Sequence, residues 1–339
     1  MKEIRDNARK KMNKFCRVCK VCDGRVCAGE TPGMGGKGTG ASFQNNVKAL
    51  ADLRLNMRLV HGITEPKTDI SLLDHNLALP VLAAPIGGVS VNMDLGVSEE
   101  EYNLSVVGGC LDAGVLGCTG DGIPPVIHEA GLEALTHFKG QGIPFIKPWE
   151  GAELEEKQAK ARDTGCKAIG MDLDAAGLIS LRRRGRPVAP RTPEQLAEIV
   201  ERIHGWGLKL ILKGLMSAED ATLAVQAGVD AVVVSNHGGR ALDHTPGTAE
   251  VLPAVVQAVA GRVPVLADGG VRTGGDILKM LALGADCVLI GRPVTVAAVG
   301  GGREGVARYF QIIGDQLRQA MIMTGIEDVT RVSRTILQG

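Results

Sequence analysis

Eight short apolar runs, spaced by longer amphipathic segments, occupy the chain from residue 80 onward and restrict what it can fold into. They fall at residues 81–85, 114–118, 144–147, 168–172, 209–213, 231–234, 263–267 and 287–290. Their hydrophobicity is continuous rather than alternating, as in parallel strands covered on both faces. The segments between them carry helix signals. Ser98, Thr192, Ser217 and Thr273 each precede acidic or amide residues in the pattern of a capped first turn. Pro193 stands where a first helical turn accepts proline. Gly114, Gly165, Gly228 and Gly284 stand where helices end before the next run. The helix–glycine–strand unit recurs at residues 227–232 and 283–288. Eight such units predict an α/β protein of the (β/α)8 TIM-barrel class. The structural alternative, an open doubly wound sheet, lacks the Gly-x-Gly-x-x-Gly turn after its first strand.

Composition fits one barrel. The 339 residues are 45% hydrophobic and 22% charged, so a large core is available. Lysine plus arginine equals aspartate plus glutamate at 38 each, which argues against nucleic acid or an anionic membrane as the main partner. No apolar stretch reaches the roughly 18 residues of a membrane span. The first residues are charged and resemble no secretory signal, so a cytoplasmic location is expected. Residues 1–79 read as an N-terminal extension, with a glycine-rich loop at 29–40 and an amphipathic helix at 42–59. Residues 80–339 read as the barrel.

A barrel places its chemistry at the C-terminal ends of its strands. Those ends carry Ala84 and Pro85; Thr119; Lys147 and Trp149; Asp172 and Asp174; Lys213; Ser235, His237 and Arg240; Asp268, Gly269, Gly270 and Arg272; and Gly291 and Arg292. Ser235–Asn236–His237–Gly238–Gly239–Arg240 sets a proton acceptor, flexible backbone and a carboxylate clamp within six residues. The glycine–arginine turns after the last two strands suit a phosphate. Lys213 reads either as a Schiff-base nucleophile or as a cation that stabilises charge on a cofactor ring.

Four of the eight cysteines crowd together as Cys16, Cys19, Cys22 and Cys27. In a reducing compartment this spacing points to metal ligands, for an iron–sulfur cluster ahead of zinc. Cys110, Cys118, Cys166 and Cys287 sit among apolar neighbours and read as core residues.

Residues 209–214, 235–243, 267–276 and 290–293, taken in order, resemble the FMN-dependent 2-hydroxy acid oxidase and dehydrogenase family. The resemblance implies FMN as cofactor and oxidation of a small (S)-2-hydroxy acid to the 2-oxo acid. It implies His237 as the base, Asp172 as its acidic partner, and Arg240 on the substrate carboxylate. Lys213 would lie by the flavin N1 and O2 edge. Ala84, Pro85 and Thr119 would contact the ring, and Ser235 would lie in the same cofactor shell. Asp268, Gly269, Gly270, Arg272, Gly291 and Arg292 would hold the ribityl phosphate.

The chain departs from the family pattern in strand three, where Lys147 and Trp149 replace a glutamine and a tyrosine. Both are expected at the substrate, and Lys147 also beside the ring. A second family tyrosine has no counterpart. The second substrate arginine is out of register, although Arg182, Arg183, Arg184 and Arg186 lie nearby. A cluster beside the flavin favours a dehydrogenase that passes electrons to a redox protein over an oxidase. A homo-oligomer is expected. The alternatives are a flavin-barrel reductase or isomerase resembling the type 2 isopentenyl diphosphate isomerase, and a non-catalytic flavin and metal redox sensor.

Overall fold

All eight apolar runs form strands, and the strands close on themselves. The computed structural model describes residues 1–12, 16–30, 33–91, 93, 96–186 and 188–338. The strands are β1 (Val81–Ile86), β2 (Leu116–Thr119), β3 (Ile143–Ile146), β4 (Ala168–Asp172), β5 (Lys209–Leu215), β6 (Ala231–Val234), β7 (Val265–Ala267) and β8 (Cys287–Ile290). Each pairs in parallel with the next, and β8 returns to β1 through Val288–Val81 and Ile290–Ala83. This is the eight-stranded barrel expected.

The strands are apolar throughout because they face two cores. Leu82, Phe145, Ile211, Val233, Leu266 and Leu289 fill the barrel interior. Val81, Ala83, Ile169, Leu210, Val232, Val288 and Ile290 join the layer under the helices. Residues two apart share a face, so one run supplies both cores. An antiparallel hairpin, Ile70–Leu72 with His75–Leu77, adds Leu72, Leu73 and Leu77 to the interior cluster. It packs ahead of β1 and leaves the opposite end of the barrel for chemistry.

The helix signals hold where they are local. The hydroxyls of Ser98, Ser217 and Thr273 accept from the backbone N–H three residues on, and Thr192 forms a full capping box with Gln195. Gly114, Gly165, Gly228 and Gly284 all adopt positive φ. The helix expected over 42–59 is shorter, Ala41–Asp52. Leu53 turns extended, and Arg54–Leu55 pairs with Leu337–Gln338 at the other end of the chain. A non-local strand partner ends this helix, with no local stop signal in the sequence.

The helix Ala41–Asp52 matters for the site. A methyl on Gly239 would lie 2.4 Å from the Phe43 nitrogen, and one on Gly270 would lie 2.4 Å from the Asn46 carbonyl oxygen. The loops after β6 and β7 are therefore pressed against this helix, and glycine is required at both contacts. Asn46 and Asn236 also exchange side-chain hydrogen bonds at 2.8 and 3.0 Å. The helix Lys2–Lys11 packs on the long C-terminal helix Arg292–Thr324, where Gly300 leaves no room for a side chain beside the Ile4 carbonyl.

Candidate active site

The C-terminal mouth of the barrel opens into a cavity of about 560 Å³, in the size range of ligand pockets. Ala84, Pro85, Lys147, Asp172, Lys213, His237, Arg240, Asp268, Gly269, Gly270, Arg272, Gly291 and Arg292 all line it. Most of the residues gathered from strand ends thus converge on one space.

His237 sits three residues past β6 with φ +58°, a left-handed backbone uncommon for a residue with a side chain. Its N–H donates to the Ser235 hydroxyl at 3.0 Å, and that hydroxyl donates to Asp268 Oδ2 at 2.9 Å. The imidazole Nδ1 lies 2.8 Å from Asp174 Oδ1. This corrects the expected partner: Asp172 instead lies 3.0 Å from the Lys213 ammonium. A 3₁₀ turn begins directly after β4, Leu173–Gly177, and swings Asp174 back toward β6 while Asp172 stays at the strand end.

Lys213 stands among three carboxylates, with Asp174 and Asp268 at 3.8 and 3.9 Å. Burial pulls its pKa down, but the three acids override this and hold it above the ordinary lysine range. Burial pushes Asp174 up, yet His237 and Lys213 bring it below the usual carboxylate range. Asp268 is raised, because burial outweighs Lys213 and the Ser235 hydrogen bond. The cluster is an internally compensated set of charges around one imidazole, suited to holding and moving a proton.

Arg240, Arg272 and Arg292 form a second cluster of a different kind. Among the described residues none has a carboxylate partner. Arg240 donates to the carbonyls of Gly33 and Gly35, Arg292 to those of Met34 (2.8 Å) and Gly238 (3.0 Å), and Arg272 to Cys22 (3.4 Å). Burial, with Arg240 and Arg272 as like charges, pushes Arg292 down to about 9. Arg272 Nε is buried without an acceptor. Gly291 and Arg292 open the long C-terminal helix, whose first N–H groups face an anion favourably. Mutually repelling guanidiniums at a helix start, one with an orphaned donor, fit a phosphate ester that bears two charges. The donor set therefore fits FMN: Arg272 and Arg292 would hold the phosphate, Gly269, Gly270 and Gly291 would allow its close approach, and Lys213 would face the ring.

Three expected site residues stand behind the cavity wall. Thr119 is 2% exposed and faces the helix Pro125–His137, where Gly131 makes room for it. Ser235 is fully buried and acts through His237 and Asp268. Trp149 is 1% exposed; its indole donates to Asp121 at 2.6 Å and is flanked by Lys157 and Arg186 at 5.4 and 5.1 Å from the ring centre. A buried indole with a satisfied N–H cannot reach a substrate. The structure also adds residues that strand-end reading missed: Met34 and Lys37 of the glycine-rich loop, and Arg183 and Arg184. Met34 carries no chemical signal in sequence; the arginines do.

The cysteines do not form a preformed zinc site. Zinc at about 2.3 Å from each thiolate sets its sulfurs about 4 Å apart. Among the described residues the only three donors within 4.8 Å of one another are Asp172, Asp174 and His237, a set already occupied by Lys213. Burial pushes the Cys16 thiol up; the Val18 N–H partly offsets this, and Cys22, Cys27 and Cys19 add to the rise. Cys22 Sγ lies 3.8 Å from Arg272.

Fold and cavity together fit a flavin-nucleotide barrel. Comparison with known proteins agrees. The family model for FMN-dependent dehydrogenase matches residues 33–203 and 186–339, and the chain belongs to that family. It is 32% identical to the 4-hydroxymandelate oxidase of Amycolatopsis orientalis, over 88% of this chain and 90% of that one. It is 29% identical to an L-lactate dehydrogenase of Pseudomonas aeruginosa, over 86% and 89%. Among solved structures, a mandelate oxidase mutant with a monooxide FMN adduct superposes with a TM-score of 0.71 at 32% identity, covering 90% of this chain and 93% of that one.

Proposed function

We propose that the protein oxidises a small (S)-2-hydroxy acid to the 2-oxo acid with FMN, and that it acts as a dehydrogenase rather than an oxidase. The observation that carries this is the His237–Asp174 pair beside three carboxylate-free arginines in one cavity. Bound there, FMN supplies the acceptor for a hydride equivalent. The chain does the rest. Asp174 engages His237 Nδ1, so Nε2 is left to take the proton of the substrate hydroxyl. Asp174 then stabilises the imidazolium that results. Arg240 clamps the substrate carboxylate, exchanging the carbonyls of Gly33 and Gly35 for it. Lys213, kept charged by its three acids, offsets the negative charge that two electrons bring to the site.

The preference for a dehydrogenase rests on the N-terminal thiols. Cys16, Cys19, Cys22 and Cys27 would hold an iron–sulfur cluster, which would supply a one-electron route out of the site. Anaerobic purification followed by iron and sulfide analysis tests this half; a colourless, iron-free tail removes it. The activity itself is tested by adding lactate, glycolate and longer hydroxy acids to the FMN-loaded protein without oxygen. One oxo acid should form per flavin bleached. Bleaching by a nicotinamide alone would replace this reading with a reductase.

A further inference from the structure

The reaction above leaves part of the cavity's charge unused. Eight lysine and arginine side chains line the space against three carboxylates. Arg272 and Arg292 are taken by a phosphate, Arg240 by a substrate carboxylate, and Lys213 by its own acids. Lys37 donates to the Ala241 carbonyl at 3.0 Å. Lys147, Arg183 and Arg184 remain.

Lys147 follows β3 and is only 8% exposed. Its backbone N–H donates to Asp121 at 3.0 Å, but among the described residues its ammonium has neither a hydrogen-bond acceptor nor an ion-pair partner within 4 Å. Asp121 cannot supply one. Its Oδ1 already accepts from the Gly122 N–H and the Lys157 ammonium, both at 2.7 Å. Its Oδ2 accepts from the Lys147 N–H and the Trp149 indole. Asp121 and Asp174 feel its charge without touching it, and a buried ammonium with no direct partner is costly; this one lies on a cavity wall where a ligand can make that contact. Arg183 and Arg184, at the end of the short helix Ile179–Arg183, extend the same patch to the exposed rim and also lack carboxylate partners among the described residues.

We propose that the substrate carries a second anionic group: a 2-hydroxy dicarboxylate, its 1-carboxylate on Arg240 and its distal carboxylate on Lys147, with Arg183 and Arg184 drawing it in. This rests on the hydroxy-acid reading and narrows it. Lys147 here is a specificity-determining residue.

The test uses the FMN-loaded full chain without oxygen. Flavin bleaching is followed with (S)-lactate, (S)-malate and (S)-2-hydroxyglutarate, and the rate per concentration is compared. At least one dicarboxylate should exceed lactate tenfold or more, and K147Q should lower that ratio at least tenfold. A readout independent of turnover is the perturbation of the oxidised flavin spectrum by oxaloacetate or 2-oxoglutarate against pyruvate, which should lose its dicarboxylate preference in the same variant. R183Q/R184Q should lower the ratio less and make it less salt-dependent. Lactate matching both dicarboxylates, or K147Q keeping the ratio while only the flavin midpoint potential moves, would overturn the proposal and leave the hydroxy-acid reading standing. Failure of every acid to bleach the flavin would overturn both.

Discussion

Two charged clusters face the same cavity and are built on opposite rules. Around His237, the cation Lys213 sits within 3.9 Å of Asp172, Asp174 and Asp268, and burial strengthens every pairing. Across from it, Arg240, Arg272 and Arg292 repel one another, held by main-chain carbonyls and the Cys22 sulfur, with no carboxylate partner among the described residues. The first cluster is complete before any ligand arrives and is therefore preorganised for proton transfer. The second is complete only with an anion in place and is therefore a receptor. Removing one member of the first should harm chemistry and spare binding; removing one member of the second should do the reverse.

The largest effect expected is at the base. His237→Gln should slow anaerobic flavin reduction by about 10²–10⁴-fold, the usual worth of a positioned proton acceptor, with FMN retained. Stopped-flow absorbance separates the two quantities. Asp174→Asn comes next, with a smaller loss through the orientation and charge of the imidazolium. Asp172→Asn should act through Lys213 and shift the flavin midpoint potential more than D174N does. Equal behaviour of the two variants in both assays would refute the assignment of Asp174 to the histidine. In the second cluster, Arg292→Gln should weaken FMN binding about 10- to 100-fold, from the loss of a charge-assisted contact worth about 1.5–3 kcal/mol. Equilibrium dialysis reads this directly.

The smallest effect lies outside both clusters. His128 is buried 3.8 Å from Asp121, and burial, only partly offset by that aspartate, holds its pKa down to about 4. The folded protein thus keeps it neutral where the unfolded chain protonates it. Its contribution to stability is full above pH 6.5 and is lost as pH falls toward 4, by at most about 1.4 kcal/mol per pH unit. Denaturant midpoints should show this slope, and His128→Asn should flatten it.

The same contrast explains what was legible in sequence. The barrel was legible because continuous apolar runs and capped helix starts are local signals, read without knowing what packs against them. That Arg272 and Arg292 line the cavity was legible because each follows a glycine turn at a strand end. The choice between Asp172 and Asp174 was not. Both lie at the end of β4 on the same two-residue period, and only the 3₁₀ turn at Leu173–Gly177 decides which faces His237. Trp149 and Thr119 follow a similar rule: a strand end fixes the residue's position along the barrel axis but not whether it faces the mouth or a helix. Arg183 ends the short helix Ile179–Arg183 and Arg184 caps it, so a reading of strand ends passes over both. The end of the helix Ala41–Asp52 depended on Leu337–Gln338, nearly the whole chain away.

The proposed reaction needs one imidazole acting on a hydroxy acid above a bound flavin. The direct measurement is the rate of FMN bleaching without oxygen, wild type beside His237→Gln, with oxo acid counted. The account predicts one oxo acid per flavin in the wild type and a variant that stays yellow over the same interval. A variant that bleaches as fast as the wild type would contradict it.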